Sequence, residues 1–220
     1  MTPGRTVLCR RVELVRFCRP ASCYRWFRLG RLNILPVVSI TMGFISKMSI
    51  PGQRTTMSLA DPEGGEKIFI RVAGQVDAEE IFLIHRDSVD NLCHGYYTSE
   101  QISMWMDGRS PATYHEAIAK KRIFIADDSR GAVGFVEYAP GEIVKLFVRG
   151  TSAKRGVGDL LMKIALCKAC EGGISKVRVE STRNAQSFYE RYGFREDGEG
   201  IFSRGGSGVS IEIIKLFLDI

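Results

Sequence analysis

The segment from Leu146 to Met162 constrains the fold of this 220-residue chain more than any other part of it. It reads LFVRGTSAKRGVGDLLM, so an apolar strand passes through a short basic loop into residues with helical apolar spacing. This order places Gly156 and Gly158 at a helix N-terminus, where free N–H groups and the helix dipole attract an anion. Lys154 and Arg155 add positive charge beside them. The segment therefore predicts a cradle for a phosphate group.

The spacing of the glycines excludes two common phosphate motifs. A dinucleotide-binding GxGxxG would need a glycine at Leu161, and a P-loop would need Lys-Ser or Lys-Thr directly after a glycine. The predicted helix after the loop has its apolar residues at Val157, Leu160, Leu161, Ile164 and Cys167.

A second segment, Val177 to Phe194, reads VRVESTRNAQSFYERYGF, which predicts a strand, a polar turn and a short helix that ends at glycine. Together, the two segments resemble the acetyl-CoA loop and the late motif of the GCN5-related N-acetyltransferase superfamily. The resemblance covers Ile68 to Asp219. It departs at Ala153, where the family usually has Gln or Arg.

The resemblance and the apolar pattern imply an α/β fold. We expect a mixed, twisted, mostly antiparallel sheet with a central parallel strand pair and flanking helices. Pro140-Gly141 predicts a hairpin turn before the strand Glu142 to Val148, and Thr98-x-x-Gln101 predicts a capping box at a helix start.

Charge divides the chain into an extension and a domain. Residues 1–56 carry ten Lys or Arg against one acid, Glu13, whereas residues 57–220 carry 21 against 24 acids. The basic pI therefore comes from the extension, and we expect no nucleic-acid partner for the domain. We assign residues 1–56 as the extension, 57–67 as a polar lead-in and 68–220 as an N-acetyltransferase domain.

Three interpretations of the extension stay open: an organelle-targeting peptide, a basic arm, or an upstream reading frame joined to a start at Met48 or Met57. The apolar run Leu32 to Ile45 is interrupted by Pro36 and is shorter than the ~20 residues that span a bilayer. We therefore predict no membrane segment and expect a cytoplasmic protein, with organelle targeting left open.

The cysteines and histidines indicate neither a metal site nor a redox site. Cys167 and Cys170 fall on one predicted helix without a second pair nearby, which favours two small apolar side chains. His85, His94 and His115 are dispersed, so we expect surface or hydrogen-bonded core positions. No metal is predicted.

Tyr189 is the first catalytic candidate. The resemblance implies that its phenol protonates the departing thiolate of coenzyme A. Ala185, Phe188, Tyr189 and Tyr192 also share one helical face, and such a stripe is typical of a core. Both roles stay open at this point.

Glu142 is the second catalytic candidate, because some superfamily members carry a glutamate base at the start of this strand. Strand alternation predicts that it shares a face with Val144, Leu146 and Val148. The alternative is a solvated carboxylate at a strand end. Glu137, across the hairpin, is the reserve candidate for the base.

The resemblance also implies the residues that hold acetyl-CoA. Backbone groups of Leu146, Phe147 and Val148 would contact the pantetheine arm and the reacting carbonyl, and Asn184 would bind the arm or cap its own helix. Asp159 would place a negative charge near the pyrophosphate. The full predicted set is Leu146, Phe147, Val148, Lys154, Arg155, Gly156, Val157, Gly158, Asp159 and Asn184.

We therefore predict an enzyme that moves an acetyl group from acetyl-CoA to a primary amine by direct transfer in a ternary complex. The acceptor would be a small amine, a protein N-terminus or a lysine, and a homodimer is compatible with the sequence. The alternative is a non-catalytic acyl-CoA-binding module with a regulatory role. A nucleic-acid-binding protein is supported only by the basic extension.

Overall fold

The computed structural model describes residues 57–59, 67–203 and 209–220. The extension, most of the lead-in and the glycine-rich residues 205–208 lie outside the described residues. The described strands form one sheet in the order β1-β2-β3-β4-β5-β6-β8-β7. Their bounds are β1 Met57–Leu59, β2 Ile68–Val72, β3 Ile123–Asp128, β4 Gly131–Ala139, β5 Glu142–Val148, β6 Lys176–Thr182, β7 Arg195–Ser203 and β8 Ser210–Asp219.

Helices lie on both faces of this sheet. Their bounds are α1 Ala78–Leu92, α2 Ser99–Met104, α3 His115–Ala119, α4 Val157–Ala169 and α5 Gln186–Glu190. The Thr98 hydroxyl accepts from the Gln101 N–H at 3.1 Å, and the Gln101 side chain accepts from the Thr98 N–H at 2.9 Å. The predicted capping box at the start of α2 is therefore confirmed.

All described strand pairs are antiparallel except β5 and β6, which run parallel. The predicted architecture, a mostly antiparallel mixed sheet with one central parallel pair, is confirmed. β1 was not predicted: it lies in the lead-in and pairs with β2 through Met57 opposite Ile70. Three residues without a clear alternation give too weak a pattern to identify a strand.

Each face of the sheet has its own apolar core. α4 and α5 pack on one face, where Val157, Leu161 and Tyr189 join Val148 and Val179 of the strands. α1 and α2 pack on the other face, over strands β3, β4 and β5. On that second face the strands β6, β8 and β7 carry exposed charged residues, and we call this region the open face.

The buried stripe of α4 differs from the predicted one. The buried residues are Val157, Leu161, Met162, Ala165 and Ala169, whereas Leu160, Ile164 and Cys167 are only half-buried. A Cβ atom on Gly134 of β4 would lie 3.0 Å from Leu161, so helix and strand approach closely there. Small alanines on the sheet side of α4 permit this approach, and the larger apolar residues flank it.

Candidate functional site

The parallel strands β5 and β6 part shortly after they begin. They pair only through Glu142 opposite Arg178 and Ile143 opposite Val179. Beyond that point β5 remains paired with β4, and β6 remains paired with β8. A wedge-shaped gap, which we call the cleft, therefore opens between them toward their C-terminal ends.

The backbone of β5 offers hydrogen-bonding groups to this cleft. The Arg149 N–H donates to the Val133 carbonyl of β4 at 2.8 Å. Because the two sides of a strand alternate, the groups of Phe147 also point to β4, while those of Leu146 and Val148 point into the cleft. Of the three residues that the resemblance implies for backbone contacts, Leu146 and Val148 thus face the cleft, while Phe147 faces β4. Its ring instead stacks on His85 with centroids 3.8 Å apart.

A bulge at Val144 changes the orientation of the residues before it. Lys145 pairs with Glu137 and Ile143 pairs with Tyr138, so Val144 has no partner on β4. The bulge shifts the alternation of side chains between the two faces of the sheet by one residue. Ile143 therefore packs in the same core as Val148. Glu142 is exposed and lies on the opposite face. The prediction that Glu142 shares a face with Leu146 and Val148 is therefore wrong.

The loop between β5 and α4 spans residues 149–156, where the sequence predicts a phosphate cradle. Gly156 has φ +82° at the N-cap of α4, and Lys154 has φ +60°. No side chain caps the helix, and a Cβ atom on Gly156 would meet no heavy atom within 4 Å. The first N–H groups of α4 therefore face open space, which fits a phosphate group.

Contacts with α1 fix the position of this loop. The Gly150 N–H donates to Asp87 Oδ2 at 2.7 Å, and a Cβ atom on Gly150 would lie 2.6 Å from the Cβ of Asn91. Arg155 Nη1 lies 3.4 Å from the Ser152 hydroxyl and 3.8 Å from Asp128. Arg155 therefore has partners within and beside the loop, and both Arg155 and Lys154 are exposed.

Val157, Gly158 and Asp159 form the first turn of α4. The Val157 side chain is buried, so only its backbone faces the loop. A Cβ atom on Gly158 would lie 3.3 Å from the Phe188 ring, so this glycine also gives α5 room to pack. Asp159 accepts a hydrogen bond from Tyr192 at 2.6 Å. Its negative charge is therefore partly compensated by a neighbour on the α5 side.

Tyr189 is buried on α5. Its ring lies edge-on to Phe188 and Phe194, with centroid distances of 5.3 and 5.7 Å. It belongs to the core that contains Val148 of β5 and Val179 of β6, the strands that bound the cleft. Burial raises the pKa of Tyr189, so its phenol stays protonated at neutral pH and can only donate a proton.

Asn184 differs from its prediction. It lies in the 3₁₀ turn Arg183–Ala185 that precedes α5, and the N-cap of that turn is Thr182. Its amide nitrogen donates to the Leu92 carbonyl at 3.1 Å, and its amide oxygen lies 3.8 Å from the Cys93 thiol. The helix-cap role is therefore wrong, because the side chain instead satisfies a carbonyl at the end of α1.

The aromatic segment between α1 and α2 is attached to β8. The Tyr97 hydroxyl donates to the Glu212 carbonyl at 2.7 Å and accepts from the Arg183 N–H at 2.9 Å. Burial raises the pKa of Tyr97, which keeps this hydroxyl protonated. His94 and Tyr96 beside it are exposed.

A cavity of about 380 Å³ lies on the open face, across the point where β5 and β6 part. Its charged residues are Glu142, Arg178, Glu180, Asp197 and Lys215. Sequence analysis identified only the first of them, because charged strand residues look like an ordinary solvated face. A larger cavity of about 530 Å³ is lined by residues of α1, α2 and the turn after α2, none of which belongs to the cleft or the loop.

The remaining candidates have structural partners. Glu137, the reserve base, forms an ion pair with Lys145 of β5. His85 is buried, and its Nδ1 lies 2.8 Å from the Tyr114 hydroxyl. Among residues 57–59, 67–203 and 209–220, no cluster of His, Cys, Asp and Glu could hold a metal ion. Within the same residues, no helix has both the length and the apolar character that a bilayer requires.

Comparisons with known proteins agree with this geometry. Residues 93–214 match the model of the acetyltransferase (GNAT) domain. The chain is 28% identical over 119 residues to the uncharacterized N-acetyltransferase YafP of Escherichia coli K12, a match that covers 54% of this chain and 75% of the relative.

Solved structures share the fold. A GCN5-related N-acetyltransferase from Rhodopseudomonas palustris superposes with a TM-score of 0.64 at 22% identity, over 69% of this chain and 94% of that one. The PaiA N-acetyltransferase from Thermoplasma acidophilum, solved with coenzyme A, gives 0.53 at 20% identity, over 70% and 99%.

Proposed function

Because this chain belongs to the acetyltransferase (GNAT) family, we propose that it moves an acetyl group from acetyl-CoA to a primary amine, by direct transfer in a ternary complex. One observation carries the proposal. The cleft between β5 and β6 begins at the cavity on the open face and widens toward the phosphate cradle. A long cofactor bound at the cradle can thus extend along the cleft, while an acceptor approaches from the other face.

The cradle residues would hold the pyrophosphate of acetyl-CoA. The uncapped N–H groups of Val157, Gly158 and Asp159 point toward the space in front of Gly156, and Lys154 is exposed beside it. Arg155 would contribute charge from within the loop. When bound, acetyl-CoA supplies an acetyl thioester, whose carbonyl carbon is the group transferred.

Backbone groups of Leu146 and Val148 would orient the reacting carbonyl. Their N–H groups point into the cleft, where β5 has no strand partner on that side. A fixed N–H donor stabilises negative charge that develops on an oxygen, and typically contributes a factor of ~10² to 10³ in rate. Asn184, which holds the end of α1, would contact the pantetheine arm only after exchanging its present partners.

Two side chains would move protons in this proposal. Tyr189 would donate its proton to the departing thiolate, because a phenol is protonated at neutral pH and this ring lies in the core shared by Val148 and Val179 of the cleft strands. Glu142, exposed where the strands part, would accept the proton of the attacking amine. A neutral amine is required because the ammonium form has no lone pair for attack.

Direct transfer is supported by the state of the nearby thiol. Burial, with a smaller contribution from Asp90, raises the pKa of Cys93 to about 12. A thiol with that pKa is not a nucleophile at neutral pH, because the thiolate is the reactive form. Among the described residues, Cys93 and Cys170 are free cysteines, which also supports our proposal of a cytoplasmic location.

The test is an assay with acetyl-CoA and a panel of small amines, a lysine peptide and a peptide with a free N-terminus. We expect thiol release that depends on one class of amine, with the acetylated product identified by mass spectrometry. Binding of acetyl-CoA without turnover of any amine would favour the non-catalytic module instead. That rival is supported by the burial of Tyr189 and by Ala153 in the loop.

A further inference from the structure

The cavity on the open face is surrounded by charged side chains without ion-pair partners in the part of the chain that the structure describes. Its five charged side chains, those of Glu142, Arg178, Glu180, Asp197 and Lys215, are all exposed. Among the described residues, none of the five forms an ion pair within 4.0 Å. This is unusual for the chain, since other charged strand residues, such as Arg71 with Asp77 and Lys145 with Glu137, are paired.

The register would allow these charges to pair across strands. Glu142 lies opposite Arg178, and Glu180 lies opposite Lys215. Cross-strand neighbours of opposite sign usually approach each other. Here they border a cavity instead, so both signs of charge remain available to a ligand.

Gly200 leaves room for the Lys215 side chain and so determines its direction over the sheet. Lys215 pairs with Gly198 of β7, but its Cε would lie only 2.9 Å from a Cβ atom on Gly200, two residues further along that strand. The lysine side chain therefore lies over Gly200, toward the end at which the cleft opens. A larger residue at Gly200 would displace it.

On this basis we propose that the acceptor carries a carboxylate beside its amine, as a free amino acid does. The proposal rests on the proposed function and names its substrate class. Arg178 and Lys215 bind the carboxylate, and Glu142 and Glu180 face the amino group. A simple amine would leave the two cations without partners, whereas a zwitterion complements both signs of charge.

The transfer is balanced within this arrangement. The amine nitrogen forms a bond to the carbonyl carbon as the carbon–sulfur bond breaks. The amine proton passes to Glu142, and the thiolate takes a proton from Tyr189. The carboxylate of the acceptor takes no part in bond changes, so Lys215 acts as a specificity-determining residue.

Matched pairs of amines test the proposal. Phenylalanine and phenethylamine, or lysine and cadaverine, differ only by the carboxylate, and the methyl esters of the amino acids remove its charge. We expect kcat/KM to favour the amino acid by ~10-fold, as two exposed ion pairs together would give. We expect Lys215→Met to reduce that preference to within ~3-fold, and Gly200→Ala to change it in the same direction. Lys163→Met, an exposed lysine on α4, is the matched control and should keep the preference.

The outcomes separate this inference from the proposed function. The inference is overturned if kcat/KM is higher for the decarboxylated amine, or if the preference for the amino acid survives Lys215→Met. In either case the proposed acetyltransferase activity still stands. If no amine is turned over, the proposed function fails, and calorimetry of the same pairs decides the inference. Preferential binding of the amino acid that Lys215→Met abolishes supports it, and equal binding of both members overturns it.

Discussion

The two ends of the candidate site are built in different ways. On the cradle side the proposed binding groups belong to the backbone: Gly156 has a left-handed conformation, no side chain caps the helix, and Gly150 donates a hydrogen bond to Asp87. On the open face the proposed binding groups are exposed side chains, such as those of Lys215 and Glu180. A cradle made of backbone is rigid and suits an invariant cofactor, whereas a cavity lined by exposed side chains can change its preference by single substitutions.

The largest expected effect tests whether the buried core on the cradle side also takes part in chemistry. Tyr189→Phe keeps the ring contacts with Phe188 and Phe194 but removes the proton donor. We expect turnover to fall by ~10²-fold or more, with the melting temperature nearly unchanged. Tyr192→Phe is the matched control: it loses one hydrogen bond to Asp159 and should keep turnover within a few-fold. Full activity in Tyr189→Phe would make that tyrosine a packing residue.

An intermediate effect separates the cradle from ordinary glycine turns. Gly156 and Gly172 flank α4, with φ +82° and +84°, and a Cβ atom at either would meet nothing within 4 Å. Alanine in this conformation costs roughly 1 kcal/mol, so both variants should lose a similar 2–4 °C in melting temperature. Only Gly156→Ala should weaken acetyl-CoA binding, by ~10-fold in calorimetry. Equal affinities in the two variants would remove the cradle from the site.

The smallest expected effect concerns the extension. A chain that starts at Met57 retains every described strand, including β1, which begins at that residue. We expect it to have the same melting temperature and the same acetyl-CoA affinity as the full chain. Aggregation of the shortened chain, or loss of binding, would place residues 1–56 within the domain. Mass spectrometry of the native N-terminus then distinguishes a cleaved targeting peptide from an incorrect start.

Elements that depend on the local conformation of a few consecutive residues could be predicted from the sequence. Pro140-Gly141, with φ +74° at the glycine, makes the predicted hairpin, and β5 has the predicted bounds Glu142–Val148. The capping box of α2 followed from two residues three positions apart. In each case the local backbone requires a particular residue type at a fixed position, either to adopt an unusual φ angle or to bond a nearby N–H group.

Features that depend on distant partners could not be predicted. The bulge at Val144 has no signal in β5 itself, because it appears only in the register with β4. The partner of Asp159, Tyr192, lies in the turn after α5, 33 residues further along the chain. Asn184 was predicted as a helix cap from its place in the local sequence, whereas its actual hydrogen-bond partner is the carbonyl of Leu92 in α1. Tertiary contacts decided all three.

The bulge also explains why the sheet opens where it does. Between the positions paired with Glu137 and Tyr138, β5 has one residue more than β4. Strand β5 is therefore longer than β4 by about 3.3 Å over this stretch, and a two-stranded ribbon with strands of unequal length must curve. The curvature takes β5 away from β6 immediately after Ile143 and Val179. A single unpaired residue thus creates the cleft and turns Glu142 toward the opposite face, so binding space and candidate base share one geometric origin.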